Sequence, residues 1–136
     1  MIRGLSEIDG KDGLLSQTTD HITGETTKYG YYNDKLTAAV AYDGDGLAIR
    51  QETFIYDSAN RLTKTRFDYN ISGSEYITSE IEYEKAATDP LQDNRVKIYR
   101  NKIGGAEKAK TENTYDVYKR ITNKKYTIGG RVFTQG

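Results

Sequence analysis

The sequence predicts an all-β protein, an antiparallel β-hairpin meander, and three observations carry that expectation. Apolar and polar residues alternate with period two in successive segments, and the segments end on tyrosine followed by Asp, Asn and Gly. No window shows the i, i+3, i+4, i+7 apolar stripe of an amphipathic helix. Composition agrees: Ile, Leu, Val and Phe make up only 26 of 136 residues, whereas 12 tyrosines supply rings that suit half-buried sheet better than a deep core.

Taken in order, residues 1–20 are rich in Gly, Asp and Ser and lack alternation, so they are expected to form an irregular N-terminal arm. Residues 21–136 are expected to form the β-sheet domain, a piece of a larger protein. Strands are expected over 28–32, 36–42, 47–56, 61–69, 75–83, 95–100, 107–115, 120–126 and 131–134. In "LTAAVAY", Leu36, Ala38, Val40 and Tyr42 share one face, and "EYITSEIEY" sets Ile77, Ile81 and Tyr83 opposite Tyr76, Thr78, Glu80 and Glu82. The tyrosines that close these segments are followed by "DGDG" after Tyr42, "DSAN" after Tyr56 and "DVYK" after Tyr115. Asx side chains bond nearby backbone amides and Gly accepts positive φ, so these are turns. The single proline, Pro90, falls in the longest polar connection, "EKAATDPLQDN", where it disturbs no ladder.

Twenty Lys and Arg balance twenty Asp and Glu, but unevenly along the chain. Residues 1–94 carry 9 basic against 17 acidic groups, and residues 95–136 carry 11 against 3. Neutralisation between facing strands is the simpler reading, and binding of an anionic partner the sharper one. The residues that would serve the latter are Lys97, Arg100, Lys108, Lys110, Lys124 and Lys125, interleaved with tyrosines in a manner suited to acidic glycans. No recognisable nucleic-acid module accompanies them, so nucleic acid is not the expected partner. There is no cysteine, no signal-peptide-length apolar run at the start and no transmembrane stretch, so no membrane insertion is expected.

No catalytic constellation emerges. His21 is the only histidine, and although Ser16 and Asp20 lie near it in sequence, no nucleophile elbow or oxyanion loop accompanies them. Glu80, Glu82 and Glu84 read as a solvated strand face rather than a glycosidase pair. "DGDG" at 43–46 echoes part of a calcium loop but lacks the third acidic ligand and the distant Glu, and "IGG" at 103–105 and 128–130 lacks the Lys-Ser/Thr of a phosphate loop. Neither a metal nor another cofactor is expected, and the chain is read as non-enzymatic.

One phrase occurs twice. "IYDSANRLTKTRF" at 55–67 and "TYDVYKRITNKKY" at 114–126 share Tyr-Asp, three variable residues, Arg, an aliphatic residue and Thr. They resemble the YD repeat, also called the Rhs or wall-associated repeat, in which Tyr-Asp, two free residues, Gly, Arg and an aliphatic residue recur at about this interval. "TGETTKYGYYND" at 23–34 and "AYDGDGLAIRQETFIYD" at 41–57 resemble degenerate units. Where the family has Gly before Arg, this chain has Asn60 and Lys119; Asn tolerates the left-handed conformation, whereas Lys does so poorly.

The resemblance implies an extended, twisted sheet that is a fragment of a spiral β-shell, from a large bacterial exported or cell-surface protein related to teneurins and toxin-complex subunits. It implies toxin encapsulation, display or adhesion rather than catalysis. Tyr42, Asp43, Tyr56, Asp57, Arg61, Tyr115, Asp116 and Arg120 are then structural motif residues, the Asp capping the turn and the Arg re-entering the next strand. "TDPL" at 88–91 lacks the flanking residues of the family's self-cleaving segment, and no autoproteolysis is expected there. Expected partners are neighbouring repeats or a homo-oligomer formed by edge or face packing. The competing reading is a carbohydrate- or polyanion-binding surface module, with a cell-surface glycan as partner.

Overall fold

An alternating segment folds as a strand because the ladder satisfies its backbone while every second side chain turns to the same face. The computed structural model describes residues 5–9, 14–91 and 93–136. Among them are eleven strands: β1 (Leu5–Asp9), β2 (Leu15–Asp20), β3 (Thr26–Tyr32), β4 (Lys35–Tyr42), β5 (Ala48–Tyr56), β6 (Leu62–Asn70), β7 (Glu75–Tyr83), β8 (Val96–Ile103), β9 (Ala106–Tyr115), β10 (Ile121–Ile128) and β11 (Arg131–Gln135). Each strand hydrogen-bonds to its neighbours in chain order, in one sheet. The protein is an all-β antiparallel meander, and no helix of the described residues is long and apolar enough to cross a membrane.

The nine expected strands are β3 to β11, with ends within three residues of those expected. Residues 1–20 differ from expectation: where they are described they contain β1 and β2 instead of an irregular arm. β2 pairs with β3 through Gln17↔Lys28, Thr18↔Thr27 and Thr19↔Thr26, and the Thr19 and Thr26 hydroxyls lie 3.2 Å apart. Paired β-branched threonines stabilise a strand without any apolar alternation, which is why the sequence pattern conceals this one.

The chain divides into two compact units, one of Met1–Phe54 with Arg66–Tyr76 and the other of Ile55–Thr65 with Ile77–Gly136. In the first, β3 and β4 pair from Thr26↔Tyr42 to Tyr32↔Lys35, around Asn33 and Asp34 at φ 48° and 62°. Two successive left-handed residues form the turn whose twist matches a hairpin. In the second, Gly104-Gly105 and Gly129-Gly130 do the same for β8–β9 and β10–β11, so both "IGG" segments are hairpin turns. Ala41 is the one buried hydrophobic residue among the described residues, and Arg61 and Thr78 are the buried polar ones. With so little core, cross-strand pairs and turn geometry hold the sheet in register.

The turns give a direct check. A Cβ at Gly130 meets nothing within 4 Å, yet φ there is +81°, so Gly130→Ala is expected to cost about 1–2 kcal/mol in urea unfolding. Gly44, equally open and without a positive φ, is expected to accept Ala with little change.

Candidate functional site

A carboxylate one residue past a strand end can accept the amides of the turn that follows, and the repeated phrase places an Asp there. Asp57 Oδ1 accepts from the Ala59 and Arg61 amides at 3.0 Å each, and the Asp57 amide donates to the Arg61 carbonyl at 2.9 Å. Asp116 repeats this with the Tyr118 and Arg120 amides at 2.8 and 3.0 Å and the Arg120 carbonyl at 2.9 Å. Asn60 and Lys119 occupy the same left-handed position, at φ 64° and 67°. Lysine therefore takes the conformation it adopts poorly, because four bonds around it fix the turn.

Asp43 forms a third copy. Its Oδ1 accepts from the Asp45 and Leu47 amides at 3.0 and 2.9 Å, its amide donates to the Leu47 carbonyl at 2.9 Å, and Gly46 stands at φ 81°. The "DGDG" segment is thus a capped turn, with Leu47 where the other copies have arginine. Thr63 and Thr122 add a further shared bond: each hydroxyl donates across the hairpin, to the Ile55 and Thr114 carbonyls respectively, at 3.2 Å. The final Thr of the phrase is a clasp between the strands that flank the turn.

The arginine does more than re-enter a strand. Arg61 Nε donates to Asp57 Oδ2 at 2.9 Å, while Nη1 and Nη2 donate to the Asp93 and Lys85 carbonyls at 2.6 and 2.9 Å. Its guanidinium lies 4.2 Å from the centre of the Tyr83 ring, and Tyr83 Oη donates to the Leu62 carbonyl at 2.5 Å. Arg95 repeats the arrangement: it lies 4.9 Å from the Tyr115 ring centre, and Tyr115 Oη donates to the Val96 carbonyl at 2.7 Å. In both, a tyrosine ending one strand covers the arginine that opens the neighbouring strand and bonds the carbonyl just after it.

This identifies a unit that the sequence conceals. The long connection between β7 and β8 is closed by the Glu84 amide on the Arg95 carbonyl at 2.9 Å, the same closing bond as in the short turns. The capping carboxylate comes from Asp93, whose two oxygens accept from the Arg95 amide and Nη2 at 3.0 Å each. "YEKAATDPLQDNR" is therefore an expanded Tyr-Asp-x-x-x-Arg turn. The available signal is an arginine followed by an aliphatic residue, as in Arg61-Leu62, Arg95-Val96 and Arg120-Ile121.

Burial raises the proton affinity of the Asp57 carboxyl, but the bonds from the Arg61 amide and guanidinium outweigh it and hold the group below the ordinary value. Burial pushes the Tyr83 phenol up, so it remains a hydrogen-bond donor. Arg61 is buried between its partners, with a side chain 7% exposed, whereas the Arg120 side chain is 71% exposed, bonding Asp116 and lying beside the Tyr118 ring.

The basic residues of the C-terminal third do not converge on one patch. Register places Arg100, Lys110 and Lys125 on one face of the second unit, and Lys124 on the other together with Lys97, which shares that face with Tyr99 along β8. On the first face they meet glutamates. Arg100 pairs with Glu82 and, at 3.2 Å, with Glu107; Lys102 pairs with Glu80 at 2.9 Å; Lys110 and Lys125 lie 3.5 and 3.8 Å from Glu112. Lys108 is exposed near the end of the β8–β9 hairpin. The acidic and basic parts of the chain are thus neutralised in part across β7 and β8.

Tyrosine faces are covered in the same way. Lys28 lies over Tyr42, Arg66 over Tyr76 and Arg120 over Tyr118, in addition to the two pairs described above. His21 is exposed in the β2–β3 turn, and the Asp20 carboxylate is engaged by the Ile22 and Thr23 amides. No cluster of three or more metal-ligating side chains occurs among the described residues.

No family model matches the chain, and no curated protein matches it.

The two arginines are expected to differ in weight. Arg61→Ala removes the buried guanidinium from half-buried Asp57 and from the Lys85 and Asp93 carbonyls and is expected to cost about 3 kcal/mol in urea unfolding, whereas Arg120→Ala is expected to leave the midpoint unchanged. Lys119→Gly is expected to stabilise by about 1 kcal/mol through relief of the left-handed backbone. A depressed folded-state pKa means that Asp57 contributes stability above its unfolded pKa of about 4 and that this is lost as pH falls through the lower folded value. Asp57→Asn is expected to lower stability at pH 7 and to flatten the stability profile below about pH 4, as read by thermal unfolding across pH.

Proposed function

We propose that the protein is a non-enzymatic structural scaffold, a run of YD/Rhs-type repeats from a bacterial exported or cell-surface protein, whose work is toxin encapsulation, display or adhesion. The observation that carries this reading is the recurrence of one turn, with the same bonds, at Asp43, Asp57 and Asp116. A unit repeated for its backbone geometry, with its charged groups spent on capping and register, is what a scaffold requires. The extracellular location and the curling of such a sheet into a shell rest on the family resemblance alone. The competing reading, a carbohydrate- or polyanion-binding module, is disfavoured by the division of the basic residues between two faces and by the cations covering the tyrosine rings.

Among the described residues β1 and β11 are the outer strands, and an outer strand offers unpaired backbone groups to a further strand. Static light scattering over rising protein concentration is expected to show a mass above that of the 136-residue chain; a constant monomeric mass would count against packing of the scaffold by edge or face. On immobilised heparin the chain is expected to elute in low salt. Retention that weakens steadily with added salt would instead support the polyanion-binding module.

A further inference from the structure

The turn between β6 and β7 has no Asp cap and carries a motif of its own. Asn70-Ile71-Ser72 has the Asn-x-Ser pattern of an N-glycosylation acceptor, and no other asparagine of the chain has Ser or Thr two residues on. Such a pattern is usable only where a transferase can reach it. Asn70 closes β6, and Asn70, Ser72, Gly73 and Ser74 are all exposed. The turn is nevertheless ordered: the Ile71 amide donates to the Ile49 carbonyl at 3.2 Å, and the Gly73 and Ser74 amides donate to the Asn70 and Ile71 carbonyls at 3.2 Å each.

The bonds around Asn70 favour reaction at its nitrogen. An amide nitrogen is a poor nucleophile because its lone pair is delocalised towards the oxygen. Here Oδ1 accepts from the Ser72 hydroxyl at 2.9 Å and from the Gly73 amide at 3.2 Å. Two donors on that oxygen stabilise the charge that collects there when Nδ2 gives up a proton. Glycine at 73 keeps the nitrogen uncrowded, because a Cβ built there would stand 2.9 Å from Nδ2.

Asp68, two residues before Asn70, shares its face of β6. An acidic residue at that position is the additional mark of acceptors for lipid-linked transfer in bacteria. Its 2.8 Å bond to Arg66 joins partly exposed groups and costs little to open.

We propose that Asn70 is a site of N-linked glycosylation, receiving its sugar from a glycosyl diphosphate on a cellular transferase. Nδ2 attacks the anomeric carbon, and the new C–N bond forms as the anomeric C–O bond breaks. The diphosphate leaves with the electron pair, and one Nδ2 proton passes to a base of the transferase; nothing is oxidised or reduced. The chemistry at Asn70 is the same whether the diphosphate is carried by a polyprenol or by a nucleoside. This inference does not depend on the scaffold reading.

The test incubates the folded chain in two arms, each with an enzyme first shown to be active on a standard acceptor peptide. One arm holds a bacterial oligosaccharyl transferase with a polyprenyl-diphosphate oligosaccharide, the other a soluble N-glycosyl transferase with a nucleoside-diphosphate sugar. Mass spectrometry of the intact chain and its peptides is expected to show one glycan, on Asn70, and the productive arm identifies the carrier. Asn70→Gln is expected to abolish transfer. Ser72→Ala is expected to slow it about tenfold or more, and Ser72→Thr, which restores the hydroxyl, to recover it. Asp68→Asn is expected to stop lipid-linked transfer alone, with amide spectra checking that each variant keeps the fold. A folded chain left unmodified in both arms, a glycan on another residue, or Ser72→Ala modified as fast as the parent would overturn the proposal. Undiminished lipid-linked transfer to Asp68→Asn would overturn the part given to Asp68.

Discussion

Everything in this structure depends on a carboxylate that caps the turn it precedes. A sheet with almost no buried hydrophobic side chain among its described residues cannot rely on a core to fix which residue faces which. Register must come from the places where the chain reverses. An Asp just past a strand end supplies it by holding two amides of the turn, so that the next strand starts at a defined residue. The arginine that follows enters the ladder already bonded to the same carboxylate, and at Arg61 and Arg95 it becomes the platform for a tyrosine from the neighbouring strand. One local device therefore links three successive strands.

The charged residues can be understood in the same terms. The ion pairs along β7 to β10 are partly exposed, and each contributes little by itself. Their effect is to make one alignment of four strands electrostatically consistent and its neighbours, shifted by one residue, inconsistent. Arg61 is the exception in weight, because it is buried and its guanidinium is held by a carboxylate, two carbonyls and a ring. The contrast with Arg120 separates what the motif does for its own turn from what it does for the strand beside it.

Much of this was legible from the residues. Tyrosine spacing and period-two alternation located β3 to β11, and the two faithful copies of the repeated phrase marked the capped turns at Asp57 and Asp116. β2 was concealed because its pairing uses threonines, whose hydroxyls make "LSQTTD" look like loop. The β7–β8 unit was concealed because its Asp lies two residues before the arginine instead of four. The tyrosine–arginine coverage was illegible for a different reason: it joins Arg61 to Tyr83 and Arg95 to Tyr115 across a hairpin, and sequence spacing alone does not reveal which ring meets which cation. Nor does a count of lysines show that alternation sends them to opposite faces.

The expanded turn between β7 and β8 separates two jobs that a short turn performs together. Its closing bond, Glu84 to Arg95, and its cap, Asp93, set the geometry of the strands, the Lys85 and Asp93 carbonyls seat the Arg61 guanidinium, and the residues between those two carbonyls span the gap. Loop length enters closure entropy only logarithmically, so the interval can grow or change in composition at small cost once its two ends are fixed. Such a chain carries a ready insertion point, where new sequence can be mounted on the surface without disturbing the strand order beneath it. Pro90 lies inside that interval, away from both bonded ends.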